Sequence, residues 1–334
     1  MKVFDSDTGH DVEIWQEICS LGLAGIVIDE EYGGVSMGSL DLAVCAEAFG
    51  YGALPGPFLS HSLATLAIQK GGTSAQKEKW LPALASGEVI GSVAFFDPEG
   101  GWNPSDWTLS ATSEITGHMR NIPYASEAEI VVVGVKGGRF VLVETDAKGV
   151  KVQPLPVNDR TRRLDNLSLN ATPCEPLGDE STARSVMMTA RILIAADAMG
   201  GAARCLDMAV AYAKEREQFG QKIGSFQALK HQLADMALAV EPNRALYWYA
   251  AYAIDIADED AERLGFITKA HITDRYVEVA RVATEAHGGI GYTWEYPLHI
   301  WLKRALFNRG FLGSPSQMRN QAAKISGWGR TNGC

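Results

Sequence analysis

Acidic residues stop at Glu295: from Tyr296 to Cys334 the chain has neither aspartate nor glutamate. Paired cysteines are also missing. Cys19, Cys45, Cys174, Cys205 and Cys334 are scattered, odd in number, and show no Cys-x-x-Cys or Cys/His ligand spacing. That argues against a zinc site or a disulfide framework. No stretch carries five basic residues in a row, and the formal net charge is −10. Neither a nucleic-acid partner nor a polybasic membrane contact is expected from that balance. No apolar run reaches the roughly eighteen residues of a membrane span. The first residues carry charges where a signal peptide needs an apolar core. Internal repeats and low-complexity segments are absent. A soluble, cytoplasmic chain is the expectation.

The 334 residues are 46% apolar and 21% charged, ordinary for a globular protein. A chain this long is expected to divide into two or three units. Apolar periodicity predicts helices over 9–21, 37–52, 59–70 and 74–86, with a loop at 22–35 turning at Gly33 and Gly34. Pro55 and Pro57 cannot continue a helix and end the second one. From about residue 89 the pattern changes to short β-rich runs at 89–96, 107–111, 130–135 and 140–144, separated by Gly, Pro, Asp and Asn. They predict a small β-barrel or sandwich. Helical periodicity then returns over 180–214, 225–257, 259–287 and 298–327, which predicts a four-helix bundle. The fold class is α+β and multidomain: a helical domain (1–88), a β domain (89–177) and a bundle (178–334).

Residues 211–236 are the centre of this arrangement. An alanine-rich helix ends there and a second one begins, with Phe226, Leu229, Leu233 and Met236 at helical spacing. Between them lie Arg216, Gln218 and Phe219, with Gly220 and Gly224 allowing the chain to turn. Ser225 is placed to cap the second helix. A cation beside a helix start, with free backbone donors, suits an anion. His287, further on, reads as a packing residue.

Arg216-Glu-Gln-Phe-Gly220 and the following Phe-Gln-x-Leu segment resemble the acyl-CoA dehydrogenase family. So does residues 285–297, Glu-Ala-His-Gly-Gly-Ile-Gly-Tyr-Thr-Trp-Glu-Tyr-Pro. The resemblance is strong over the C-terminal half, moderate over the N-terminal half and poor in the middle. It implies the acyl-CoA dehydrogenase fold, with the N-terminal helices, a middle β-barrel and a C-terminal four-helix bundle in that order. It also implies an FAD cofactor, an acyl-CoA substrate and an electron-transfer acceptor. The family reaction removes an α proton with a glutamate and passes a β hydride to the flavin.

By the same resemblance the catalytic glutamate belongs at one of two positions. In this register they are Leu312 and Ala190, and neither side chain can take a proton. Glu285, Glu295, Asp197, Glu215 and Glu217 are the nearby carboxylates, each with the alternative reading of a solvated or paired surface charge. The loops that would hold the chain's own flavin ring read here as 96–103 and 121–125, without the family's small polar groups. The segments that reach a neighbour's flavin persist. Arg216 corresponds to a pyrophosphate ligand, and Gln218 and Phe219 flank it. Gln227 matches a position on the adenosine side, and Glu285, Gly288 and Gly289 match the second donated segment.

That asymmetry implies a subunit without a base of its own, sharing FAD across the interface with a catalytic acyl-CoA dehydrogenase subunit in an α2β2 assembly. Short family members carrying His-Gly-Gly-Ile-Gly-Tyr-Thr-Trp-Glu are similar to one subunit of actinobacterial heterotetramers that act on steroid side-chain CoA thioesters. Two alternatives stay open at this level: a self-sufficient homomeric dehydrogenase with an unrecognised base, or a structural or regulatory relative without redox function.

Overall fold

In the computed structural model, which describes residues 9–328, the chain forms two compact units. Residues 9–42 and 55–190 make one, and 43–54 with 191–328 make the other. Two of the three boundaries fall inside helices, α2 (Ser39–Gly52) and α5 (Glu180–Glu215), and the third lies just after α2.

The first unit begins with α1 (Val12–Ser20), whose N-terminal amides are accepted by the Asp11 carboxylate at 3.0 and 3.3 Å. Helix α3 (Phe58–Gly71) is buried over most of its length, and α4 (Ser74–Ser86) starts with a reciprocal Thr73–Gln76 capping box. The β region is two sheets over one shared core, and no barrel closes among the described residues. One sheet has the order β1-β3-β4-β7, built from Gly91–Ala94, Ile130–Val135, Arg139–Glu144 and Glu175–Leu177. The other has the order β2-β6-β5, from Glu114–Pro123, Leu164–Pro173 and Val150–Pro154. Of the two expected forms this is the sandwich and not the barrel: β1 pairs in parallel with β3, and the intervening β2 pairs with β6 in the second sheet. Val131, Val133 and Val143 of the first sheet meet Met119, Leu167 and Leu169 of the second in the core.

Strands β2, β5, β6 and β7 were not expected. Residues such as Gly117, His118 and Arg120 on β2 hide its alternation, and its register shifts twice against β6. The expected strand at 107–111 is instead irregular. Trp107 is buried and donates to the Phe95 carbonyl at 3.0 Å, and Thr108 is tied to Asp97.

In the second unit, α5 crosses the 43–52 part of α2 at backbone contact. A methyl group on Gly50 would lie 2.0 Å from the Asp197 carbonyl oxygen, and one on Gly200 1.9 Å from that of Glu47. Only glycine fits on both sides of that crossing. Helix α5 is long and apolar enough to cross a membrane by composition, contrary to the sequence expectation, yet it is mostly buried inside the protein.

Two of the four expected bundle helices are divided. The predicted helix 225–257 becomes α6 (Gln227–Val240) and α7 (Pro242–Asp255), because Pro242 has no amide to continue the ladder. Helix α8 (Ala261–Ala286) packs against α6, α7, α9 (Leu298–Gly310) and α10 (Pro315–Ile325). The predicted helix 298–327 breaks between α9 and α10, where Leu312 and Gly313 both take positive φ, 62° and 103°. Ser314 then caps α10 with a reciprocal Gln317 contact.

Candidate functional site

Arg216 begins a tight hairpin of β8 (Glu217–Gln218) and β9 (Gln221–Lys222). Phe219 and Gly220 form its tip with φ of 55° and 77°. Two successive positive φ values match the mirror-image turn that suits strand twist, where Asn-Gly is the favoured pair. Glycine meets that demand freely; phenylalanine does not. The Phe219 ring is nevertheless 92% exposed, touching only Phe226 edge-on at 6.2 Å.

The charges on this hairpin are unevenly used. Lys222 bonds the Glu217 carboxylate at 2.7 Å and the Glu215 carbonyl at 3.0 Å, and that lysine holds the Glu217 carboxyl below its usual range. Arg216 is exposed, and among the described residues its guanidinium makes no ion pair and no hydrogen bond. Gln218 donates to the Glu217 carbonyl at 2.7 Å, which leaves its amide oxygen uncommitted. Ser225 does not cap α6 as expected. Its hydroxyl donates to the Lys222 carbonyl at 2.6 Å in a 3-10 turn, and Phe226 occupies the N-cap without a side-chain contact. The first amides of α6, beginning at the exposed Gln227, therefore lack a side-chain cap.

The second segment lies at the end of α8. Glu285 is exposed and pairs with Arg281 at 3.0 Å, one turn back. Gly288 has φ 64°, and methyl groups on Gly288 or Gly289 would meet nothing within 4 Å. The turn geometry requires the first glycine; open space beside the second is room for something outside the chain.

An aromatic stack ties the two segments together. Tyr212, one turn before Arg216, lies 4.5 Å from the His287 ring, and His287 lies 4.6 Å from Tyr296. His287 is buried. Its Nδ1 donates to the Ala283 carbonyl at 2.7 Å, so Nε2 accepts from the Tyr296 hydroxyl at 3.0 Å. Burial lowers its pKa, so it is a neutral spacer with both nitrogens committed. Sequence reasoning placed His287 in packing but missed Tyr212 and Tyr296. Tyr212 lies one helical turn before Arg216, but Tyr296 sits in the turn before α9, where no period marks it.

The two positions expected to carry a base are buried and apolar: Ala190 in α5 and Leu312 at positive φ before α10. Other carboxylates are engaged or exposed. Asp197 is buried and accepts from Arg304 Nε at 3.0 Å and Asn308 Nδ2 at 2.7 Å, with a second arginine bond to its other oxygen. Glu217 and Glu285 are the paired groups above, and Glu215 and Glu295 are exposed. Among the described residues no group of three His, Cys, Asp or Glu is placed to hold a metal.

The loop at 96–103 in the first unit is closed on itself. The Asp97 carboxylate accepts from the backbone of Glu99, Gly100, Thr108 and Leu109 and from the Thr108 hydroxyl, which hold its pKa down against the effect of burial. Asn103 and Ser105 both turn to Asp106 at 3.0 Å. In the other loop Tyr124 is buried, accepting from the Gly56 amide at 2.8 Å and donating to the Thr161 carbonyl at 3.1 Å. Asp97 and Tyr124 are thus spent internally, whereas Asn103 Oδ1 is buried without a partner and the Asn121 side chain makes no hydrogen bond among the described residues.

A helical unit with β sheets, followed by a bundle that presents an arginine hairpin beside a glycine turn, is the architecture of a flavin-dependent acyl-CoA oxidoreductase. Residues 2–88 match the N-terminal domain of acyl-CoA dehydrogenases and residues 181–326 match their C-terminal domain. The chain belongs to the acyl-CoA dehydrogenase family, with FAD as its cofactor. It is 33% identical to the acyl-CoA dehydrogenase IpdE2 of Mycolicibacterium smegmatis, over 96% of this chain and 90% of that one. Identity to IpdE2 of Mycobacterium tuberculosis is 32%, over 94% and 86%. Among solved structures, a variant of the steroid ACAD Tcur3481–Tcur3483 superposes with a TM-score of 0.91 at 28% identity, covering 98% of this chain and 91% of that one.

The fit of FAD to these residues is one-sided. An unpaired arginine, an uncapped helix start and an open glycine turn suit a pyrophosphate. The loops at 96–103 and 121–125 in the first unit carry no lysine or arginine.

Proposed function

We propose that this chain is the non-catalytic subunit of a flavin-dependent acyl-CoA dehydrogenase. It pairs with a catalytic subunit, as α2β2, and completes that partner's FAD site. The observation that carries this reading is the contrast between the unpaired Arg216 on its hairpin and the buried, apolar Ala190 and Leu312. Arg216 would hold the pyrophosphate, with Gln218 and Gln227 offering amides and Phe219 packing beside them. Gly288 and Gly289 would let the backbone approach, while Arg281 offsets the charge of Glu285. Bound FAD supplies the two-electron acceptor for α,β-desaturation of an acyl thioester. The proton-abstracting carboxylate comes from the partner. A steroid side-chain CoA thioester is the substrate class, supported by similarity to a steroid ACAD. An electron-transfer protein takes the electrons onward. We read the assembly as cytoplasmic.

The test is the flavin-to-protein ratio of this chain alone and of its co-purified assembly. The chain alone should be colourless, and Arg216→Ala should weaken flavin retention by the assembly. A charge-assisted phosphate contact contributes about 1.5–3 kcal/mol, so the loss should be roughly tenfold or more. Near one flavin per chain in the isolated protein, with turnover, would overturn the reading.

A further inference from the structure

Two cations lie inside the C-terminal unit with few anions facing them. Arg191 of α5 is 2% exposed, and its guanidinium carbon sits 4.0 Å from the centroid of the Phe266 ring on α8. Its Nε is buried without a partner, and among the described residues none of its nitrogens donates a hydrogen bond. Lys269, about one turn along α8 from Phe266, is fully buried. Its ammonium donates to the carbonyls of Arg309, at 3.1 Å, and Gly313. The Arg191 charge presses on Lys269.

The surrounding charges do not balance. Glu262 acts on Arg191 through space without a hydrogen bond to it. Asp274 acts on Lys269 but is already bonded to Arg309 at 2.7 Å and Arg319 at 2.6 Å. Two carboxylates thus face Arg191, Lys269, Arg309 and Arg319. The same unit satisfies its other buried guanidinium fully: Arg304 grips both oxygens of Asp197 and the Leu54 carbonyl. A ring face offsets part of the desolvation of a guanidinium, but it accepts none of the in-plane N–H bonds. A buried charge lacking such acceptors is strongly unfavourable.

We infer that Arg191 binds a small monovalent anion, of chloride or formate class, through its unpaired N–H groups inside the C-terminal bundle. The occupant is small because Phe266 covers one face of the guanidinium and the arginine as a whole is only 2% exposed. It is monovalent because the Lys269 protons are already spent on carbonyls, leaving one charge to neutralise. The residue before Arg191 is Ala190, so no carboxylate from that position stands in. The site concerns this chain's own interior and holds with or without a flavin-binding partner.

Thermal unfolding of the full-length chain in sodium chloride, sodium formate and sodium gluconate at equal ionic strength tests it. Chloride and formate should raise the midpoint by about 2–4 °C, saturably, over the bulky gluconate. Arg191→Met, which keeps a side chain packed on Phe266, should abolish the difference. Equal midpoints in all three salts, or a difference that survives in Arg191→Met, would overturn the site. Should the variant not fold, crystals of the unsubstituted protein grown in sodium bromide decide the matter. An anomalous peak within hydrogen-bond distance of the Arg191 guanidinium supports the site; a water there instead refutes it.

Discussion

Arg216 and Arg304 belong to the same helical unit, and their surroundings are opposite. Arg304 is fully buried and bonded to both oxygens of one carboxylate. Arg216 is exposed, and its side chain bonds to nothing among the described residues. A second pair repeats the contrast. Leu312 and Phe219 both take positive φ, at 62° and 55°, but Leu312 is fully buried and Phe219 is 92% exposed. The strain at Leu312 is offset by burial within the fold. The positive φ at Phe219 belongs to the turn of its own hairpin, closed by the pairing of Glu217 with Lys222 and of Gln218 with Gln221. Positive φ also occurs at the exposed Ser36, Ala171 and Ala257, so what sets Phe219 apart is its large exposed ring rather than its backbone.

The largest effect that would break this comparison is at Asp197. Asp197→Ala leaves the Arg304 guanidinium buried without its counter-ion. Removing one partner of a buried pair destabilises by about 3–5 kcal/mol. Denaturant unfolding should show that loss as a lower midpoint with an unchanged slope. Arg216→Ala in the isolated chain should stay within about 0.5 kcal/mol of the parent. Similar losses at the two sites would erase the distinction between interior and edge.

Lys269 sharpens it through pH. Burial first, and the Arg191 charge second, lower its pKa from 10.5 to about 7. Between those values the unfolded chain holds a proton that the folded chain does not. Stability therefore rises with pH from about 7 towards 10, by up to about 1.4 kcal/mol per unit, and is flat below that window. In gluconate buffer, comparison of the protein with Lys269→Met isolates this contribution. The variant should lose the slope; an identical slope in both would remove Lys269 as its source.

How much of this was legible in the sequence follows the same division. The helices of the N-terminal segment and the motif residues Arg216, Phe219 and Gly288 stood out because their spacing and types are local signals. Strands β2 and β6 did not, because their polar and half-exposed positions blur a two-residue period. The break at Pro242 was passed over in a helix expected to run unbroken from 225 to 257, although the missing amide signals it, while the one at Leu312 needed φ values that its residue type disguises. Arg191 and Asp197 were visible as charges in an alanine-rich helix. Only packing tells that one is matched by Arg304 and the other is not. The same limit applied to Tyr212 and Tyr296: a stack between distant segments leaves no periodic trace.

The smallest effect is the most discriminating, because two readouts should move in opposite directions. Asparagine accepts the left-handed conformation at the first position of the hairpin turn more readily than phenylalanine. Phe219→Asn should therefore leave the isolated chain as stable or raise its stability by up to about 1 kcal/mol, since the edge contact to Phe226 is solvent-exposed and contributes little. The same substitution removes the apolar surface that the proposed partner site would cover, so flavin retention by the assembly should fall. Phenylalanine at the tip would then be a residue unfavourable to its own fold and favourable to a neighbour. Should stability and flavin retention fall together, Phe219 would be an ordinary packing residue of the hairpin. Should stability rise with retention unchanged, the hairpin tip would have no part in the interface, and Arg216 alone would have to support the shared-site reading.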